Sequence, residues 1–403
     1  MAVVSAIAVI AVITTEFTYN TGIDLQAAAN ARDEMRAHFL ARSATNLSRL
    51  VIKIQKDGID KHRKQLGDIQ LADYLPMMIG AFGGGKEEVE SLASLLGADP
   101  AAANGGEIKG LGLKEGEFDL EVTTDDGKIN MNCAAGSEQT TKQLELTLTA
   151  LVMPNVYDKI FEERDGDGQF TDRPTFVKAL MDYVDKDTAA YGANGQPEDY
   201  GYQGYKARDN YLDSIEELRL VRGMDDKRWA LFGPAFTIYG GCQVNVSAVS
   251  DITVIYPLLY AGAKDPEDPV LRDPQKLLAL AAAVAQARTY GIMFQDLNDF
   301  AEFVKDPMAA LALDQALAGQ DGAAPPPNPA LSGLPRVEGM ELDVAKLGKI
   351  ARAGGRRTYR VVASARIGKV EKKINAVWDG DIQNQNMRDP KQTRGAWVYW
   401  REE

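Results

Sequence analysis

The first fifteen positions, Met1 to Thr15 (MAVVSAIAVIAVITT), hold no charged side chain, and Glu16 is the first ionisable residue. Apolar residues then recur at Met35, Phe39, Leu47, Leu50, Val51 and Ile54, close to a helical period, with Arg32, Arg36, Arg42 and Arg49 on other faces. At ~1.5 Å per residue the apolar head reaches about 22 Å against about 30 Å of bilayer hydrocarbon, roughly five residues short of a span. It has no basic flank and no small-residue cleavage site behind it. A membrane helix running unbroken into an amphipathic soluble helix fits this pattern better than a truncated signal anchor.

Past Asp57 the chain turns Gly-rich and irregular to about Gly116, with one helical stretch near Lys86 to Leu96. Phe118, Leu120 and Val122 alternate with acidic or polar residues, Asp125-Asp126-Gly127 turns the chain, and Ile129 and Met131 alternate again; this predicts a hairpin. Helical spacing fills Ser137 to about Phe236 between acidic loops. An extended stretch, Ile238 to Val246, echoes the earlier GKINMNC, and more helix follows to about Asp306, including the Ala-rich Leu277 to Ala287. Ala318 to Pro335 is a Pro/Gly connector. Thr358 to Asp379 alternates around a turn near Gly368, and Gly395 to Glu402 forms a last, edge-like strand. The order predicts an α+β fold. Its divisions fall at 1–57 (membrane and stalk helix), 58–136, 137–236 (an inserted helical domain), 237–317, 318–357 (connector) and 358–403 (closing strands).

Composition narrows the chemistry. Over 403 residues, 45 Lys and Arg stand against 58 Asp and Glu, a net charge of −13. That sign weighs against phosphate-backbone binding. With 45% hydrophobic residues the chain can bury a core. Two histidines (His38, His62) and two cysteines (Cys133, Cys242) cannot build a zinc finger, a His-rich zinc site or an iron–sulfur cluster. No catalytic residues are predicted. Gly80 to Glu87 has phosphate-loop spacing, but Glu87 stands where a hydroxyl would hold Mg²⁺, so it reads as a surface loop. Gly110 to Gly116 lacks the dinucleotide spacing.

Two acidic segments are candidate metal sites. Asp165, Asp167, Gln169 and Thr171 alternate as in an EF-hand loop ending near Asp172, yet Phe176 replaces the bidentate Glu and the glycine is misplaced. A variant site completed by a distant carboxylate and a plain acidic turn both remain open. The second segment is Asp185 and Asp187, followed by Glu198 and Asp199. Carboxylates this close repel unless a cation neutralises them.

Several ordered strings are specific together. FTYNTGIDLQAAANARDEMRAHFLARSATNLSRL, DDGKINMN, MDYVDKD followed by GQPEDYGY, LDSIEELRLVRGM, FTIYG with QVNV, and GAWVYWRE resemble the K-type minor pseudopilin of bacterial type II secretion systems (general secretion pathway protein K). The helix-first, sheet-last order is similar to the type IV pilin fold. The resemblance implies a prepilin whose short basic leader is cleaved; this sequence starts inside the apolar helix, so the leader and about five mature residues are expected upstream, or an internal Met has been taken as the start. It implies a single-pass inner-membrane anchor in a Gram-negative bacterium with the bulk in the periplasm. The protein would sit at the pseudopilus tip with I-type and J-type minor pseudopilins and other pseudopilins. There it would initiate assembly, support secretion across the outer membrane, and use its helical insert to block further subunit addition. No catalysis is implied.

The resemblance also implies Ca²⁺ at Asp185, Asp187, Glu198 and Asp199, whereas Asp165, Asp167 and Asp172 are metal candidates on their EF-hand-like spacing alone. An oxidising periplasm permits a Cys133–Cys242 disulfide if the flanking look-alike strands pair; two buried free thiols are the alternative. Val3, Val4, Ile7, Val9, Ile10, Val12 and Ile13, with Glu16 behind them, are the membrane and assembly residues. Ala27 to Ala31 allows close helix approach or is simply good helix former. Ser214 to Phe232 reads as a helix-hairpin-helix, which gives the runner-up: a membrane-tethered periplasmic DNA-binding or type IV pilus-associated module. Asp225 and Asp226 in its hairpin would repel phosphate.

Overall fold

The structure, a computed structural model, describes residues 2–62, 70–75, 116–166, 168–192, 204–287, 292, 294–308, 337–380, 382 and 395–403. The loop Gly80–Glu87, the stretch Lys86–Leu96, most of Gly110–Gly116 and the connector Ala318–Pro335 lie outside the described residues.

No proline and a single glycine, Gly22, interrupt the first 54 residues, and they form one helix, α1 (Ala2–Ile54), prolonged through His62 by a π turn and a 3-10 turn. Its buried residues begin only at Ala37 and continue as Leu40, Ala41, Ala44, Thr45, Ser48, Val51 and Ile52. The stripe has helical spacing and small side chains, so the helix lies close against a sheet. That sheet has the order β1 (Glu117–Thr124), β6 (Thr358–Ile367), β7 (Val370–Asp379), β8 (Ala396–Glu402), antiparallel throughout. Leu120, Val122, Tyr359, Val361, Ala363 and Trp378 close one small core with α1, and Ala365, Ile367, Ile374 and Ala376 close a second. β6 and β7 join through the turn expected near Gly368, whose φ of +60° is in the left-handed region that favours glycine. β8 is the edge strand, as its sequence suggested.

The described residues between β1 and β6 belong to the helical unit. β2 (Ile129–Asn130) pairs in parallel with β3 (Phe236–Thr237). Between them run α2 (Glu138–Val152), α3 (Asp158–Glu162), α4 (Arg173–Val184), a 3-10 helix (Ile215–Leu220) and α5 (Asp226–Phe232). β4 (Val244–Asn245) pairs in parallel with β5 (Ala351–Arg352). They enclose α6 (Ile252–Gly262), α7 (Pro269–Arg272), α8 (Pro274–Gln286), α9 (Leu297–Lys305) and α10 (Val344–Leu347). One hydrophobic core runs from Ile129 to Ala351 across all of these. Much of the acidic surplus is local to helix starts: Asp172, Asp225, Asp251, Asp268, Asp273, Asp296 and Asp343 each accept backbone N–H groups as N-caps. The result is the expected α+β, pilin-like architecture: a long N-terminal helix on a small antiparallel sheet, with a large helical domain inserted.

Two local expectations are corrected. The hairpin across Asp125-Asp126-Gly127 does not form, because β1 pairs with β6 and Ile129–Asn130 pairs with β3. Likewise the QVNV strand pairs with Ala351–Arg352 and not with its look-alike INMN. The cause is electrostatic. Asp125 and Asp126 are buried at 2% and 5% exposure rather than solvated in a turn. Asp126 accepts from the Arg352 guanidinium at 2.6 Å and from the backbone N–H groups of Arg357 at 2.6 Å and Thr358 at 3.1 Å. Asp125 takes the Arg360 guanidinium at 2.6 Å and the Thr237 hydroxyl at 3.1 Å. The outgoing and returning crossovers are thereby clamped together.

Candidate functional site

The first half of α1 stands free. Val3, Val4, Ile7, Val9, Ile10, Val12 and Ile13 are exposed, with Val3 at 71%, and Phe17, Tyr19, Ile23 and Leu25 extend the apolar surface. Glu16 is exposed among them. The hydroxyls of Thr14, Thr15 and Thr18 donate to carbonyls one turn earlier, which satisfies three polar groups inside the helix. α1 with its extension is the helix among the described residues that is long and apolar enough to cross a membrane, and none of its apolar window is buried.

Cys133 and Cys242 are joined, with sulfurs 1.98 Å apart and Cα atoms 5.8 Å apart. They meet because β2 lies against β3, which places the turn after β2 beside the segment after β3. Asn130 reinforces this contact by donating its amide to the Gly240 carbonyl at 2.6 Å, and Asn132 donates to the carbonyls of Leu212 and Ile238.

In the first acidic segment the carboxylates are used inside the fold. Asp165 accepts from the Gln169 amide at 2.8 Å and the Thr171 hydroxyl at 2.7 Å, which folds the loop. Asp172 caps α4 through the Thr175 amide. Asp167 lies outside the described residues. Gly223 seals the loop from beyond: its φ is +81°, and a Cβ there would stand 2.9 Å from the Thr171 methyl.

The second segment is different. Asp185, at the end of α4, is buried and Asp187 is exposed, while Glu198 and Asp199 lie outside the described residues. Two carboxylates not singled out in the sequence join them, Asp182 and Asp209. Asp182 accepts from the Tyr191 amide through one oxygen, and its other oxygen is buried without a hydrogen-bond partner. Burial, and after it the charge of Asp187, pushes the Asp182 carboxyl up to about 6. Asp209, the one non-glycine residue with positive φ among the described residues, is held by the Tyr183 carbonyl and has a buried oxygen with no partner. Its carboxyl is raised by burial and then by Asp187. Tyr191 folds the loop back by donating its hydroxyl to Glu145 at 3.1 Å. No three His, Cys, Asp or Glu side chains among the described residues are arranged to hold an ion by themselves. The signal for Asp182 was present: an acid inside MDYVDKD at a position where the helical period demands a core residue.

Ser214 to Phe232 is not a pair of α-helices. Its first arm is the 3-10 helix, tied by a capping box between Ser214 and Glu217. Arg219 pairs with Asp226 at 2.6 Å. Arg228 is fully buried, donates to the carbonyls of Gly223 and Ile160, and lies over the rings of Phe161 and Phe176. Both cations are committed to internal partners.

Known proteins can be set beside this geometry. Residues 127–241, from just before β2 to the residue preceding Cys242, match the family described as type II secretion system (T2SS), protein K. This class is a secretion-system component, not a known class of enzyme. The K-type resemblance read from the sequence is borne out over that segment. Among solved structures, the crystal structure of the GspK-GspI-GspJ complex from the enterotoxigenic Escherichia coli type 2 secretion system aligns with a TM-score of 0.43. The identity is 14%, over 72% of this chain and 80% of that one. No curated protein sequence matches the chain.

Proposed function

We propose that this chain is the minor pseudopilin at the tip of a type II secretion pseudopilus, where it starts assembly with I-type and J-type minor pseudopilins. The observation that supports this most is where the protein K segment sits. It lies inside a helical domain inserted between β1 and β6 of the sheet that α1 packs against. A stalk of this kind can pack against neighbouring helices through Val3 to Leu25, whereas a bulky insertion leaves no room for another subunit above it. The apolar helix anchors the chain in the inner membrane and the bulk lies in the periplasm. In a strain lacking this chain, secretion of the system's substrates should fail and return with the intact gene. A variant lacking α1 residues 2–25 should not restore it. Full secretion without the chain contradicts the proposal.

Ca²⁺ belongs to the same proposal. The donor set fits a hard cation: carboxylate oxygens of Asp182 and Asp209 buried without partners, beside Asp185 and Asp187, with Glu198 and Asp199 following in the sequence. These residues would hold the ion, and the ion would order the loop by neutralising their mutual repulsion. Asp165, Asp167 and Asp172 are not included, because Asp165 and Asp172 already bond within the fold.

A further inference from the structure

The sheet face turned away from α1 meets the helical domain in a cleft of about 830 Å³. That is the size of a small-molecule site, and such sites favour junctions between domains. Arg360, Asn375, Tyr399 and Arg401 rise from β6, β7 and β8 on one side, and Trp229 and Tyr239 face them from the helical domain. The Tyr239 and Tyr399 ring centroids are 6.2 Å apart. The cations on this wall are neutralised within the protein: Arg360 bonds Asp125 at 2.6 Å and Arg401 lies 3.0 Å from Glu403. The uncharged polar groups are open, while guanidiniums lie over two of the rings, Arg360 over Tyr239 and Arg219 over Trp229, each 5.8 Å from the ring centroid. The Trp229 indole N–H, the Tyr239 and Tyr399 hydroxyls and the Asn375 amide have no hydrogen-bond partner among the described residues.

We propose that this cleft binds a neutral oligosaccharide. The Tyr399 ring, over which no cation lies among the described residues, can take the C–H face of a sugar, while an amide, an indole N–H and two phenols supply uncharged donors and acceptors for its hydroxyls. An anionic ligand would meet guanidinium groups that already have partners. An extended peptide would draw on an open strand edge, whereas the floor here is a sheet face whose backbone is engaged in the β6–β7–β8 ladder. The site is separate from the assembly role and does not depend on it.

The test is calorimetric titration of the full chain, in a detergent without a sugar headgroup, with tetra-N-acetylchitotetraose, cellotetraose and maltotetraose, and with a neutral tetrapeptide alongside. At least one tetrasaccharide should bind with a Kd below about 1 mM. Tyr399→Phe, which keeps the ring, and Asn375→Ala should each weaken it about 2- to 10-fold with an unchanged melting temperature. Absence of binding for all three saccharides overturns the proposal. So does affinity that both substitutions leave intact, or binding of the tetrapeptide in their place.

Discussion

Asp125 and Asp126 illustrate how one pair of side chains can be read in two ways. In sequence, Asp-Asp-Gly after an alternating run is turn chemistry, because Asp bonds its own backbone and Gly turns freely. In the fold the same acids are buried anchors, and their partners Arg352 and Arg360 lie more than 200 residues further on, beyond the reach of local reasoning. Removing one partner of a buried pair strands the other. Asp126→Ala should therefore cost about 3–5 kcal/mol of stability in chemical denaturation. Glu138→Ala, which breaks the exposed pair with Lys142, should cost less than about 0.5 kcal/mol. Equal losses would show that the clamp is not what holds the crossovers. Asp182 makes a second residue-scale case. Its carboxyl titrates higher in the folded than in the unfolded chain, so without metal its charge destabilises above pH 6. In chelator, Asp182→Asn should melt above the wild type at pH 7.5, and the gap should narrow at pH 5 and close only below about pH 4, where the unfolded chain is protonated as well. The variant should also lose the upward shift that Ca²⁺ gives the wild type; a wild-type melting temperature indifferent to Ca²⁺ and chelator removes the metal from the account.

At the scale of elements, α1 and the β6–β7 hairpin were legible because their signals are local: an unbroken helical run, and an alternation that turns at Gly368. The identity of β1's partner was not. β1 carries a clean alternation, yet nothing within it distinguishes a neighbour ten residues away from β6, which pairs Val122 with Val361. The cystine was visible as a possibility, since only two cysteines exist, but the route to it was different from the one expected. The sulfurs meet through β2 against β3, while the look-alike QVNV strand is taken by β5. A bond closing 109 residues restricts the unfolded chain strongly. Reduction, or Cys133→Ser, should lower stability by about 4–5 kcal/mol in the chain-entropy picture. Alkylation and mass spectrometry of native material should find neither cysteine labelled before reduction; two labelled thiols would remove the staple.

For the whole molecule, the described residues between β1 and β6 form one inserted body with its own core from Ile129 to Ala351. Among the described residues, acids serve as helix N-caps, as the buried clamp at Asp125 and Asp126, and in the group around Asp182. Sequence order exposed the insertion, and the strings lying within 127–241 pointed to the family model that matches there. The clamp and the cleft at the junction had no sequence signal, because each is made by residues that only the return of the chain brings together. The central claim is that this body caps an assembly. Tagged chain captured from membranes, with the other pseudopilins expressed beside it, should bring down two small pilin-like subunits, and deletion of Val3 to Leu25 should sharply reduce their recovery. Recovery of the two subunits together with each other, but without this chain, would contradict the account.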